Sequence, residues 1–219
     1  MQLRRRSPWS ALLPASVVVA TAAHDLDGPL TDEEDAAVAT ALPARRAEFV
    51  TGRVLARRAL AAIGVTSGSV AVARSGAPVW PEGVVGTITH CSGLRACAVG
   101  LQDQHTAVGI DATPAAPLPA GVLARIADPA SAPVAAGLAA LRRIGVESPD
   151  SVLLAASEAV AKARTTAHGG WFGIDGAEID LRPDGSFGAV ARRGPAFTAV
   201  GRWEVDRGTA LAGTTLAER

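Results

Sequence analysis

The chain has 219 residues, 48% apolar and 19% charged, and its 21 basic and 21 acidic side chains cancel to zero formal net charge. That length fits one large domain or two small packed ones, and the composition is that of a folded, soluble protein, not a disordered one. Balanced charge excludes bulk attraction to nucleic acid or an anionic membrane surface, and no run reaches the ~20 apolar residues that a membrane span needs.

In chain order, Arg4-Arg5-Arg6 ahead of Ala11-Leu12-Leu13 and Val17-Val18-Val19 imitates a secretory signal. Pro14 and Ser16 interrupt that apolar run, and Ala15 to Ala20 reads equally well as a buried strand. Pro43 opens a helix at its favoured first-turn position, and Gly64 stops it after Ala61-Ala62-Ile63. Strands are expected over Val84 to His90, Arg95 to Leu101 and Thr106 to Ala112. Ser92-Gly93 and Gln102-Asp103-Gln104 supply the turns. Pro114 to Pro119 reads as a linker, and Ala120 to Ile144 as further helix. Ser151 to Arg164 forms another helix, with Asp150 as a capping residue. Four strands then follow: Trp171 to Leu181, Ser186 to Arg192, Phe197 to Val205 and Thr209 to Leu216. Asp184-Gly185 and Asp206-Arg207-Gly208 mark hairpin turns. Helix followed by an antiparallel meander, twice, predicts an α+β chain of two similar halves.

Several side chains in this plan could carry chemistry. Arg46, Arg53 and Arg57 fall in one narrow sector of the first long helix, beside Val50, Leu60 and Ala61. Arginines in an apolar stripe snorkel, pair with buried carboxylates, or face a bound anion. His90 closes a strand ahead of a turn, where an imidazole can bind phosphate, move a proton, or simply hydrogen-bond for structure. Cys91 and Cys97 are too few and wrongly spaced for a disulfide framework or a zinc site, which suits a reducing cytoplasm. Asp111 interrupts the apolar strand Ala107-Val108-Gly109-Ile110, and a carboxylate there is costly unless solvated, hydrogen-bonded or holding a cation. Glu158 and Lys162 stand one helical turn apart, a spacing common on exposed helices. Their face also carries Leu154, Ala155 and Ala161, which marks it as more than a solvent face. Two carboxylates completed by water and phosphate oxygens suit magnesium.

Arg45-Arg46-Ala47-Glu48-Phe49-Val50-Thr51-Gly52-Arg53, then Gly76-Ala77-Pro78-Val79-Trp80-Pro81-Glu82-Gly83-Val84-Val85-Gly86-Thr87-Ile88-Thr89-His90-Cys91, resemble the Sfp/EntD-type 4′-phosphopantetheinyl transferases. Gly109-Ile110-Asp111 and Glu158…Lys162 follow in the family's order, and Leu12 to Val17 looks like its opening strand. The resemblance implies an α+β pseudo-dimer, with an N-terminal half over 1–113, a C-terminal half over 114–219 and the active site at their interface. It implies a cytoplasmic, monomeric enzyme that moves the phosphopantetheine arm of coenzyme A to a serine of an acyl or peptidyl carrier protein. Natural-product, polyketide, fatty-acid or peptide synthesis would be its setting, without nucleic acid or membrane. Carried over by position, Arg45, Arg53 and His90 hold the nucleotide and its 3′-phosphate. Asp111 and Glu158 hold Mg²⁺, Lys162 neutralises phosphate charge, and Glu158 takes the serine proton.

The chain departs from the family pattern at Thr113, where relatives usually have Glu, and at Ser157, where they usually have Lys. Val72, Pro149, Leu154 and Ala161 also stand where relatives often carry a lysine or large aromatics. These departures frame a competing reading. In it the fold binds CoA or a carrier without turnover, or acts on a carrier-tethered or small-molecule substrate.

Overall fold

The computed structural model describes residues 7–216, so Arg4-Arg5-Arg6 lies outside the described residues. A short 3-10 turn, Pro8–Ala11, leads to strand β1, Val18–Ala22. Two helices follow: α1, Asp32–Ala37, and α2, Pro43–Ala62. Strands β2 (Val84–Cys91), β3 (Leu94–Leu101) and β4 (Ala107–Pro114) form the next block. Helices α3 (Val122–Ile126), α4 (Ala132–Arg143) and α5 (Pro149–His168) come before the last four strands. These are β5 (Ala177–Leu181), β6 (Ser186–Ala191), β7 (Thr198–Asp206) and β8 (Thr209–Leu216).

The strands build two antiparallel sheets, one in the order β1-β3-β2 and the other in the order β4-β8-β7-β6-β5. The α+β class expected from the sequence is therefore what the chain adopts. Helix α2 lies on the smaller sheet, burying Leu55, Ala56, Ala59 and Leu60 against Cys97 and Val99. Helix α5 lies on the larger sheet, where Val152, Ala156 and Val160 meet Ile179, Phe187 and Ala212. A third apolar cluster joins the two sheets, with Val85 and Ala98 from one and Val108, Ile110 and Leu211 from the other.

Period-2 alternation explains how β4 serves two neighbours at once. Val108 and Ile110 point into the joining cluster. Gly109, Asp111 and Thr113 share the opposite face. Gly109 is where strand and helix come closest, because a Cβ there would overlap the carbonyl oxygen of Ala159 in α5 and sit 3.0 Å from Ala163 Cβ. Only glycine lets β4 and α5 approach this far, and the approach brings Asp111 to the helix.

Three local expectations need correction. The opening strand begins at Val18, not within Leu12 to Val17, because Val17 N–H closes a turn onto the Pro14 carbonyl. Helix α5 starts at Pro149, so Asp150 lies inside its first turn, and its carboxylate accepts from Leu118 N–H instead of capping the helix. The strand expected from Trp171 starts only at Ala177. Gly169 and Gly173 take positive φ in that stretch, and Ile174–Gly176 forms a 3-10 turn.

Candidate active site

Helices α2 and α5 and strands β2 and β4 line a cavity of about 600 Å³. Arg45, Arg53 and His90 lie on its wall with Asp111, Glu158 and Lys162, so one space gathers every site residue that the family resemblance implied. Its floor is the line where the two sheets meet. There Thr89 Oγ1 of β2 donates to Asp111 Oδ1 of β4 at 2.8 Å and accepts from Ala112 N–H at 3.3 Å. A hydroxyl bridging two strands in this way locks their relative register at the carboxylate.

Asp111 is buried, and Lys162 Nζ reaches the same Oδ1 at 2.6 Å. Both bonds to Asp111 thus fall on one oxygen. Glu158 precedes Lys162 by one helical turn, and with Leu154 it faces the cavity. Burial raises the Glu158 pKa, the Asp111 charge adds to the rise, and Lys162 opposes it. Two carboxylates that repel each other across a shared space are a donor set a divalent cation would relieve. Asp111, Glu158 and solvent therefore fit a magnesium ion. Among the described residues no cluster of three or more His, Cys, Asp or Glu stands ready for a metal.

The wall also carries cations. Arg45 Nη1 donates to His90 Nε2 at 3.1 Å and to Glu48 Oε2 at 3.2 Å. Since a guanidinium can only donate, Nε2 accepts in this contact, and Glu48 Oε2 lies 3.6 Å from the same nitrogen. Burial is the main cause that lowers the His90 pKa; Arg45 and Lys162 act in the same sense, and Glu48 opposes. Arg53 is buried, with its guanidinium 4.1 Å from the centre of the Phe49 ring and its Nε 3.9 Å from Glu34 Oε1.

Glu34 is the functional residue that sequence reasoning missed. It is fully buried and binds the Arg57 guanidinium, while accepting from Val70 N–H at 2.8 Å and Thr31 N–H at 3.0 Å. Thr31 in turn caps α1, so Thr31 and Glu34 form a reciprocal capping box. The signal was present as Thr-x-x-Glu ahead of an alanine-rich run. Glu34 also resolves the arginine sector. Arg53 and Arg57 pair with one buried carboxylate and Arg46 with Asp35, so only Arg53 of the three also meets the cavity.

The departures from the family pattern sit in different places. Thr113 lines the cavity on the same β4 face as Asp111. Ser157 is 1% exposed and points into the core, where its Oγ finds no partner among the described residues. Cys97 is buried, which pushes its thiol pKa up and leaves it inert. A second, smaller cavity of about 240 Å³ shares Pro78, Ile88 and Lys162 with the first and is also lined by Trp171.

Comparison with known proteins agrees with this geometry. Residues 33–100 match the family model described as the 4′-phosphopantetheinyl transferase N-terminal domain. The chain is 40% identical over 222 residues to the 4′-phosphopantetheinyl transferase Svp of Streptomyces mobaraensis, covering 95% of this chain and 89% of that protein. It is 37% identical over 226 residues to the 4′-phosphopantetheinyl transferase PptT of Mycobacterium tuberculosis, covering 93% of this chain and 98% of that protein. A third relative, the 4′-phosphopantetheinyl transferase Npt of Nocardia iowensis, is 36% identical over 160 residues, covering 70% and 67%.

Proposed function

The chain belongs to the 4′-phosphopantetheinyl transferase family, whose members move the phosphopantetheine arm of coenzyme A to a carrier protein, and on that premise we propose a division of labour within its cavity. The observation behind this reading is the charge gathered on one cavity wall: Arg45 and Arg53 from α2 and His90 from the end of β2, with Asp111 from β4 and Glu158 and Lys162 from α5. Arg45 and Arg53 hold the 3′-phosphorylated nucleotide, and His90 offers a ring N–H as a further donor. Lys162 lies against the pyrophosphate and stabilises the charge that gathers on the leaving phosphate.

A carrier serine attacks the pantetheine-bearing phosphorus. The new P–O bond forms as the pyrophosphate P–O bond breaks, and adenosine 3′,5′-bisphosphate leaves. Glu158 takes the serine proton, a role that its raised proton affinity suits. Magnesium held by Asp111 and Glu158 would neutralise phosphate charge and orient the leaving group. The smaller cavity borders the first at Pro78, Ile88 and Lys162, and the pantetheine arm extends into it.

The proposal extends to the organisation of the chain: two halves over 1–113 and 114–219, β4 crossing from the first to pair with β8 of the second and the site lying at their seam, acting as a monomer in the cytoplasm. No helix among the described residues is long and apolar enough to cross a membrane.

The test is mass spectrometry of a panel of apo carrier proteins after incubation with the enzyme, CoA and Mg²⁺. Addition of phosphopantetheine to a carrier serine, lost in Asp111→Ala and Glu158→Ala, is the expected result. Calorimetric CoA binding without any mass gain across the panel would replace this reading with that of a binding module.

A further inference from the structure

Arg164 lies on α5, two residues beyond Lys162, and is 1% exposed. A buried guanidinium ordinarily pairs with a carboxylate, because desolvating a lone cation is expensive. Here its hydrogen bonds go to backbone carbonyls. Nη1 donates to Gly176 O at 2.8 Å, and Nη2 donates to Arg193 O at 2.6 Å and Pro195 O at 3.4 Å. Two aromatic faces complete the cage, with Phe172 and Phe197 each 4.5 Å from the guanidinium carbon. The cation is stabilised by dipoles and ring quadrupoles, all supplied by two loops.

One of those loops runs Gly169-Gly170-Trp171-Phe172-Gly173, where Gly169 and Gly173 have positive φ. Three glycines in five residues leave such a segment many alternative conformations, so its native shape depends on side-chain anchors. Phe172 is the anchor. Its ring lies on Arg164, and Gly194 packs against the ring edge, where a Cβ would fall 2.6 Å from the ring and 3.3 Å from Arg164 Nη2. Its neighbour Trp171 is 55% exposed and lines the smaller cavity together with Thr87 and Lys162. The orientation of Trp171 therefore follows from where Phe172 is held.

We propose that Arg164 is a positioning residue for the pantetheine arm: its caged guanidinium fixes the 169–176 loop, and the loop sets Trp171 as the wall against which the arm lies. This rests on the reading that places the arm in the smaller cavity. One helix then carries two layers of the site, with Glu158 and Lys162 facing the phosphates and Arg164 behind them, fixing the wall.

The experiment compares two ligands by calorimetry on the full chain: CoA, and adenosine 3′,5′-bisphosphate, which lacks the arm. Arg164→Met is expected to weaken CoA on the order of tenfold while leaving the bisphosphate within about twofold. Trp171→Ala is expected to give the same selective loss, and the Arg164→Met/Trp171→Ala double variant no further loss, since both act through one wall. Phe172→Leu keeps the three carbonyl bonds of Arg164 but removes an aromatic face. It is expected to reproduce the selective loss, and it carries the test should Arg164→Met fail to fold. Equal weakening of both ligands, unchanged CoA affinity in folded variants, or additive losses in the double variant would overturn the proposal. A wild-type chain that binds CoA no more tightly than the bisphosphate would instead overturn the placement of the arm. Failure of the wild type to bind either would overturn the transferase reading itself.

Discussion

Gly109→Ala should damage this protein out of proportion to the single methyl it adds. Extended backbone at Gly109 accepts any residue, so the whole effect is one of contact. The new Cβ would overlap the Ala159 carbonyl oxygen and lie 2.9 Å from its carbonyl carbon. The oxygen itself would lie roughly 1.5 Å inside the ~3.4 Å at which ordinary contact begins, so α5 must withdraw from β4 by about that much. Overpacking of that kind costs about 1–3 kcal/mol. The same withdrawal carries Glu158 and Lys162 away from Asp111. The 2.6 Å contact between Lys162 Nζ and Asp111 Oδ1 would then open beyond the ~3.2 Å limit of a good hydrogen bond. A displacement near 1 Å at reacting groups can lower turnover about a hundredfold. Urea titration and carrier-loading kinetics measure the two effects. Gly201→Ala is the control, because its Cβ would meet Phe187 Cε1 at 2.5 Å and Gly213 O at 2.6 Å, away from the cavity. It should lose comparable stability and keep kcat. Gly109→Ala with wild-type kcat, or Gly201→Ala with an equal loss of kcat, would refute the account of strand–helix approach.

Other outcomes follow from the same contacts. Glu34→Gln leaves Arg53 and Arg57 without their buried counter-charge. It should lower stability by about 3–5 kcal/mol in urea and raise KM for CoA, since Arg53 loses its support. Thr113→Glu places a third carboxylate on the face of Asp111, and Mg²⁺ titrated by calorimetry should bind on the order of tenfold more tightly; unchanged affinity would argue against a metal at this face. Burial holds the His105 pKa below its ordinary value, with Asp103 opposing, so the folded state takes up that proton less readily than the unfolded chain. Stability from this group is complete above the unfolded value near ~6.5 and is lost as pH falls through it, by at most ~1.4 kcal/mol per pH unit. His105→Gln should flatten the urea midpoint between about pH 7 and pH 5.5, relative to the wild-type chain.

Much of the architecture was legible because its signals are local. Strand β8 was legible at its observed bounds behind the Asp206-Arg207-Gly208 turn, and α2 from Pro43 to within a residue of its end. Asp111, Glu158 and Lys162 could be singled out because each conflicts with an apolar surrounding. Their convergence could not be derived from periodicity; it depends on the depth of contact at Gly109 and on Thr89, whose hydroxyl spans two sheets. Glu34 escaped notice because its partners Arg57 and Val70 lie far along the chain. The Trp171 segment was mistaken for a strand because two aromatics and an isoleucine outweighed glycines whose positive φ ends the pairing. Ser157 illustrates a different limit. The sequence marks the loss of a charge there, but only the packing shows the side chain turned into the core, away from the cavity.

Within the larger sheet, β4 pairs along its whole length with β8, from Ala107 opposite Leu216 to Pro114 opposite Thr209. The strand that presents Asp111 is thus synthesised long before the strand that holds it in place. Until residue 216 has left the ribosome, β4 is an unsatisfied edge and the nascent chain has no carboxylate site to offer. Cavity and carboxylate pair consequently form together, in one late step of long-range pairing, and loss of β8 would remove the site even from a chain that retained all six of its polar residues.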